Sequence, residues 1–193
     1  MALRNSETRY GAVAMTLHWL IAAMILGLIA VGFIMGDLEN SDPNKFKLYQ
    51  LHKSFGLTVL ALSVLRLLWR LVNPLPPLPG DLKAWERLLA RATHVVFYAL
   101  MIGTPLVGWA MGSASPFNIP TLFFGQFEVP HLPYFPTAPE KADLAESLAG
   151  VHEMLAFGIL GLLALHVGAA LKHHFILKDS VLVRMLPFTK VSP

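Results

Sequence analysis

Histidine is the side chain in this sequence best placed to do chemistry, and eight are present among 193 residues. His18, His52, His94, His152, His166 and His173 fall within or at the edges of long apolar stretches. His131, in a loop, and His174 have no assigned role. An ionisable group inside a membrane is expensive and usually faces a protein interior, so each of the six is a functional candidate. Taken singly, an interhelical hydrogen bond explains such a histidine as well as ligation does. Spacing takes the argument further. His152 and His166 are 14 residues apart, so on one helix they point within roughly 40° of each other and stand about 21 Å apart. One helix face thus offers two imidazoles in two layers. Neutral imidazole is a natural axial ligand for haem iron, and a bis-histidine site has no open position, which suits electron transfer rather than oxygen binding. Zinc or copper fits less naturally, because such ions want ligands a few ångströms apart while the layers are about 21 Å apart.

Membrane spans must position these groups. The chain is 55% hydrophobic and only 14% charged, against about 25% charged in a soluble domain. It has no cysteine, which excludes disulfides, thiolate iron–sulfur ligation and C-x-x-C-H attachment of c-type haem. The apolar runs predict an all-α integral membrane protein, a single membrane domain over 1–193. Its four transmembrane helices fall at about 12–35, 50–72, 88–112 and 148–172 by the length a bilayer demands. The first run is too long for a signal peptide and has no small-residue cleavage site after it. Between the spans lie 36–49, a Pro-rich 73–87, and 113–147, rich in aromatics and proline, where Pro139–Leu148 permits a short outer helix.

Charge orients the bundle. Arg4, Arg9, Arg66, Arg70, Lys83, Arg87, Arg91, Lys172, Lys178, Arg184 and Lys190 fall on one side, and Lys45, Lys47, Lys53 and Lys141 on the other. The positive-inside rule makes the first side, with both termini, cytoplasmic. His18 and His166 then lie six residues in from the cytoplasmic ends of their spans, about 9 Å deep, while His52 and His152 lie about 3 and 6 Å inside the outer ends. His94, six residues into the third span, shares the inner depth, either as a substitute ligand or as a neighbouring polar group. Gly56, Gly158, Gly161 and Gly168 near these positions would let a large planar ring approach, although glycine is common at membrane-helix contacts in any case. His173, seven residues beyond His166, continues the same face to the cytoplasmic edge, where it could bond a quinone carbonyl or simply snorkel.

Several segments together resemble bacterial cytochrome b561: His18-Trp19, L-H-K-S-F-G opening the second span and R-x-x-x-R closing it, and T-H-V-V-F-Y in the third. V-H-E-M-L-A and L-H-V-G-A-A-L-K-H-H-F in the fourth, and the terminal D-S-V-L-V-R-M-L-P, complete the likeness. The resemblance implies a four-helix bundle carrying two b haems, with His18 and His166 on the cytoplasmic-side haem and His52 and His152 on the periplasmic-side haem. It extends to superoxide oxidases, implying a bacterial inner-membrane oxidoreductase that takes electrons from superoxide, or another small or protein donor, and delivers them to ubiquinone. Nucleic acid is not an implied partner. His173, Arg70 and Thr16 are the candidate quinone contacts. Superoxide, an anion, wants local positive charge. The outer side carries Asp37, Glu39, Asp42, Glu128, Glu140, Asp143, Glu146 and Glu153 against four lysines, leaving Lys53, with Lys45 and Lys47, as the cationic entry. The alternative is a membrane-anchoring electron-carrier subunit of a dehydrogenase or hydrogenase. A haem-free transporter fits poorly, since no span is broken by a Gly-Pro pair and Pro105 is the only mid-span proline.

Overall fold

Long uncharged runs placed in lipid must satisfy their own backbone groups, and the helix does this within one segment. The computed structural model describes residues 2–78, 80 and 82–189. Lys190, counted above among the inner cations, lies outside them. Among the described residues four helices are long and apolar enough to cross a membrane: α1 Ala12–Asp37, α2 Pro43–Val72, α3 Ala84–Ala114 and α4 Lys141–Leu171. At 26 to 31 residues they run about 39–47 Å, more than the roughly 30 Å hydrocarbon core requires.

Local signals outside the apolar runs set the extra length. Asp42 caps α2 by accepting from the Asn44 N–H at 2.7 Å, with Pro43 at the first position, so α2 begins seven residues before the expected position 50. Glu86 accepts from the Lys83 N–H at 3.0 Å at the start of α3. The Pro139–Leu148 run is not a separate helix, since from Lys141 onward it forms the first turns of α4. At its far end α4 widens into a π-helical turn, Lys172–Leu177.

Packing is uneven around the bundle. α3 lies extensively against α4, α1 against α2, and α2 against α3, whereas among the described residues α4 makes no comparable approach to α1 or α2. The small apolar centre joins Ile21, Ile25, Val59, Met101 and Ile159. Outward faces are apolar too, with Leu26, Leu68, Val95 and Leu165 each more than half exposed. A surface like that would drive aggregation in water and is the expected lipid contact of a membrane bundle.

Both ends of the bundle are closed by folded segments. A feature unassigned from sequence, the antiparallel hairpin of β1 (Thr121–Phe123) and β2 (Phe127–Val129), lies against α2. Its turn uses Gly125 at φ 73°, a conformation open to glycine without strain. Gln50 grips β1 twice, donating to the Pro120 carbonyl at 2.9 Å and accepting from the Leu122 N–H at 3.0 Å. Ser54, almost fully buried, accepts from the Phe124 N–H at 3.0 Å while its hydroxyl faces the Gln50 and Leu122 carbonyls. On α3, Trp109 donates to the Pro130 carbonyl and Ser113 accepts from the Leu132 N–H.

The two terminal segments meet at the other end. Arg9 donates to the Leu186 and Thr189 carbonyls, Trp19 to the Met185 carbonyl at 2.8 Å, and Arg184 to the Pro77 carbonyl at 2.5 Å. Gly11 is required there, because a Cβ would stand 2.4–2.5 Å from the Leu3 and Arg4 backbone. Ser54→Ala removes the acceptor for a Phe124 N–H, and an orphaned buried donor costs about 1–3 kcal/mol. A lowered thermal unfolding midpoint in detergent is the expected result, and an unchanged midpoint would show that Ser54 does not hold the hairpin.

Candidate functional site

The outer layer is built by α2 and α4 with support from α3. His52 and His152 face each other with ring centres 6.2 Å apart and planes 69° apart. His152 Nδ1 lies 3.0 Å from the Thr104 carbonyl. A carbonyl can only accept, so Nδ1 carries the proton and Nε2 keeps its lone pair, the arrangement that backbone partners impose on metal-binding histidines. α3 can approach this ring closely because position 108 is glycine: a Cβ there would stand 2.9 Å from His152 Cε1. His52 Nδ1 is buried without a hydrogen-bond partner among the described residues. Beside the pair lies a cavity of about 410 Å³ lined by all four helices, including Ile25, Phe33, Gly56, Met101 and Phe157. A smaller one of about 90 Å³ touches both histidines, Lys53, Trp109 and Thr121 of the hairpin.

The inner layer joins α1, α3 and α4. His18 and His166 have ring centres 6.2 Å apart with planes at 65°. His94 stands equally near His166, at 6.0 Å, and Phe97 at 5.3 Å. His94 Nδ1 donates to the Ala90 carbonyl at 2.6 Å. Beyond this layer His173 lies in the π-helical turn, so the regular 100° step from His166 does not extend to it unchanged. Its Nδ1 meets an Asp179 carboxylate oxygen at 2.5 Å. Of the other two expected quinone contacts, Thr16 is exposed on α1 and the Arg70 guanidinium lies 6.0 Å over the Tyr98 ring. The structure therefore brings the four layered histidines into two pairs, and it shows no contact joining His173, Arg70 and Thr16 among the described residues.

Two imidazoles face each other in the outer layer, and in the inner layer both His18 and His94 stand about 6 Å from His166. No group of three or more His, Asp or Glu residues is poised to hold an ion among the described residues. With metal–imidazole bonds of about 2 Å and about 1 Å from that nitrogen to each ring centre, a trans pair spans about 6 Å between centres. Both pairs meet that figure. The cavity beside the outer pair is lined mainly by apolar side chains, and both pairs bridge helices that do not pack closely on one another. This is the donor set and spacing that haem takes.

Thr104 and Gly108 went unnoticed in the sequence, and Asp179, part of the terminal motif, was given no role of its own. Thr104 and Gly108 matter only because α3 presses on α4, and nothing in their own neighbourhood signals it. Asp179 had a signal, an acidic residue just after a run of histidine and lysine near the membrane edge.

A membrane bundle with imidazole pairs in two layers defines a class, the haem-binding electron-transfer proteins of membranes. Residues 9–188 match the family model for prokaryotic cytochrome b561, and the chain belongs to that family, whose members are helical membrane bundles that bind haem b and transfer electrons. It is 37% identical over 187 residues to cytochrome b561 homolog 2 of Escherichia coli K12, covering 96% of this chain and 95% of the relative. It is 31% identical over 185 residues to a probable superoxide oxidase CybB of Yersinia pestis, covering 93% and 96%. Cytochrome b561 homolog 1 of Escherichia coli K12 is 27% identical over 186 residues, covering 94% and 99%. The chain is accordingly a multi-pass bacterial membrane protein of an oxidoreductase-type family.

Gly108→Ala tests the close approach of α3. The added methyl meets a ring already pinned by Thr104, so His152 must move, and haem per protein measured as the pyridine haemochrome is expected to fall. Gly103→Ala, where a Cβ meets nothing within 4 Å, is expected to leave it unchanged. Equal haem in both variants would show that the His152 position does not govern haem binding.

Proposed function

We propose that this protein is a di-haem electron-transfer enzyme of the bacterial inner membrane, oxidising superoxide on the periplasmic side and reducing ubiquinone on the cytoplasmic side. The observation that carries it is the pair of imidazole pairs, each with ring centres 6.2 Å apart, in two layers of one bundle. Haem iron, when bound, supplies one-electron chemistry. His52 and His152 hold the periplasmic-side group, and His18 and His166 the cytoplasmic-side group. His94 is as near to His166 as His18 is, but α3 packs closely on α4, leaving a broad macrocycle less room between them than between α1 and α4.

The remaining residues admit the reactants. The excess of Lys and Arg at the end carrying the termini makes that end cytoplasmic. At the opposite end Lys53 lines the 90 Å³ cavity that touches His52 and His152. That space suits a diatomic anion, and Lys53 supplies the attractive charge. The 31% identity to a protein named a probable superoxide oxidase supports the same donor. Two superoxide anions each give up one electron and leave as dioxygen, and the two electrons with two protons convert quinone to quinol. On the cytoplasmic side His173 Nδ1 donates to the Asp179 carboxylate; as the imidazolium of that ion pair the ring also donates from Nε2 to a quinone carbonyl, with Arg70 and Thr16 as the further contacts.

Haem stoichiometry tests the ligands. His52→Ala or His152→Ala is expected to leave about half the haem, and His18→Ala or His166→Ala to lose the other half, while His94→Ala keeps both. Loss of a haem in His94→Ala but not in His18→Ala would transfer the ligand role to α3. Stopped-flow absorbance then separates the two half-reactions. His173→Leu is expected to slow quinone reduction about tenfold while haem reduction by superoxide survives. Lys53→Glu is expected to slow haem reduction about tenfold, with a dependence on salt. Unchanged quinone turnover in His173→Leu would remove His173 from the exit site.

A further inference from the structure

We propose that Arg66 binds a propionate carboxylate of the haem held by His18 and His166; the inference rests on the two-haem reading above. The argument begins with spacing on α2. Arg66 follows His52 by 14 residues, the same interval that separates His152 from His166 on α4. Both intervals span about 21 Å and return within about 40° to the same helix face. At the level where α1 and α4 present imidazoles, α2 therefore presents a guanidinium. The depth agrees, since Arg66 lies six residues before the end of α2 at Val72 and His18 six residues after the start of α1 at Ala12.

This cation lacks a counter-charge. Arg66 Nε donates to the Tyr98 hydroxyl at 3.3 Å, and Arg70 sits over the same ring. The ion pairs among the described residues are Lys172–Glu86 and His173–Asp179, so neither arginine has a carboxylate there. One turn from Arg66, Trp69 Nε1 is buried with no acceptor among the described residues. A partly buried guanidinium within a membrane span is normally neutralised by an anion inside the bundle. Haem b carries two propionate carboxylates, and the planar fork of arginine matches a carboxylate bidentately where the point charge of lysine does not. A lipid phosphate offers the same oxyanion chemistry, and the experiment must tell the two apart.

The full-length protein is loaded with haem b or with haem b dimethyl ester, whose carboxylates are blocked, and release to apomyoglobin is followed by absorbance. In the wild type one release phase is expected to be about tenfold faster for the ester. Arg66→Met is expected to release haem b at that faster rate and the ester no faster than the wild type does, whereas Arg66→Lys, which retains the charge, falls between. Equal acceleration of haem b and ester in Arg66→Met would overturn the proposal, since Arg66 would then act only on the fold. Equal wild-type rates for the two groups, with phospholipid lost from purified Arg66→Met, would overturn it in favour of a lipid phosphate. If the wild type takes up fewer than two haems per chain, the two-haem reading itself fails, at a step before any release is measured.

Discussion

Imidazole and guanidinium groups placed inside an apolar bundle lose hydration, and leaving them unpaired is costly. That constraint organises this protein. His152 and His94 turn their Nδ1 atoms to backbone carbonyls at 3.0 and 2.6 Å, and His173 turns its own to Asp179. The two rings of each layered pair face each other with centres 6.2 Å apart. The packing follows the same demand. α3 closes on α4, while α4 stays apart from α1 and α2, so the faces bearing His18 and His52 confront α4 through side chains.

The end caps give the two layers different surroundings. The hairpin is held on α2 by Gln50 and Ser54 and on α3 by Trp109 and Ser113, next to the small cavity that Lys53 lines. At the opposite end Arg9 and Trp19 bind the Leu186 and Met185 carbonyls of the C-terminal segment, and Arg184 of that segment binds the Pro77 carbonyl. Arginine serves two purposes at that end. Arg9 and Arg184 satisfy loop carbonyls, whereas Arg66 and Arg70 stay within α2 beside Tyr98.

Much of this was legible in the residues. Uncharged runs about as long as a bilayer is thick leave helices as the available structure, and the 14-residue interval from His152 to His166 fixes two layers on any regular helix. The bias of Lys and Arg between the two sides needs no coordinates. Other features escaped a reading by apolar length. α2 begins at Pro43 because of an Asp42 cap, and α4 begins at Lys141 through a charged turn that a hydropathy criterion discards.

What the sequence by itself determined, then, is the four long apolar helices and the spacing of histidines along them, because these follow from periodicity and the length a bilayer demands. Tertiary structure alone decided which rings meet. His18 and His94 share one depth, and only the helix arrangement shows that both rings stand about 6 Å from His166 while α3, not α1, lies hard against α4. The same holds for Gly108, whose missing side chain matters only because His152 comes from another helix to within 2.9 Å of where a Cβ would be. It holds for His173, whose ring meets the Asp179 carboxylate across a π-helical turn. Contacts between distant segments depend on how helices rotate and pack, and that choice is made by the sum of many weak interactions rather than by any local run of residues.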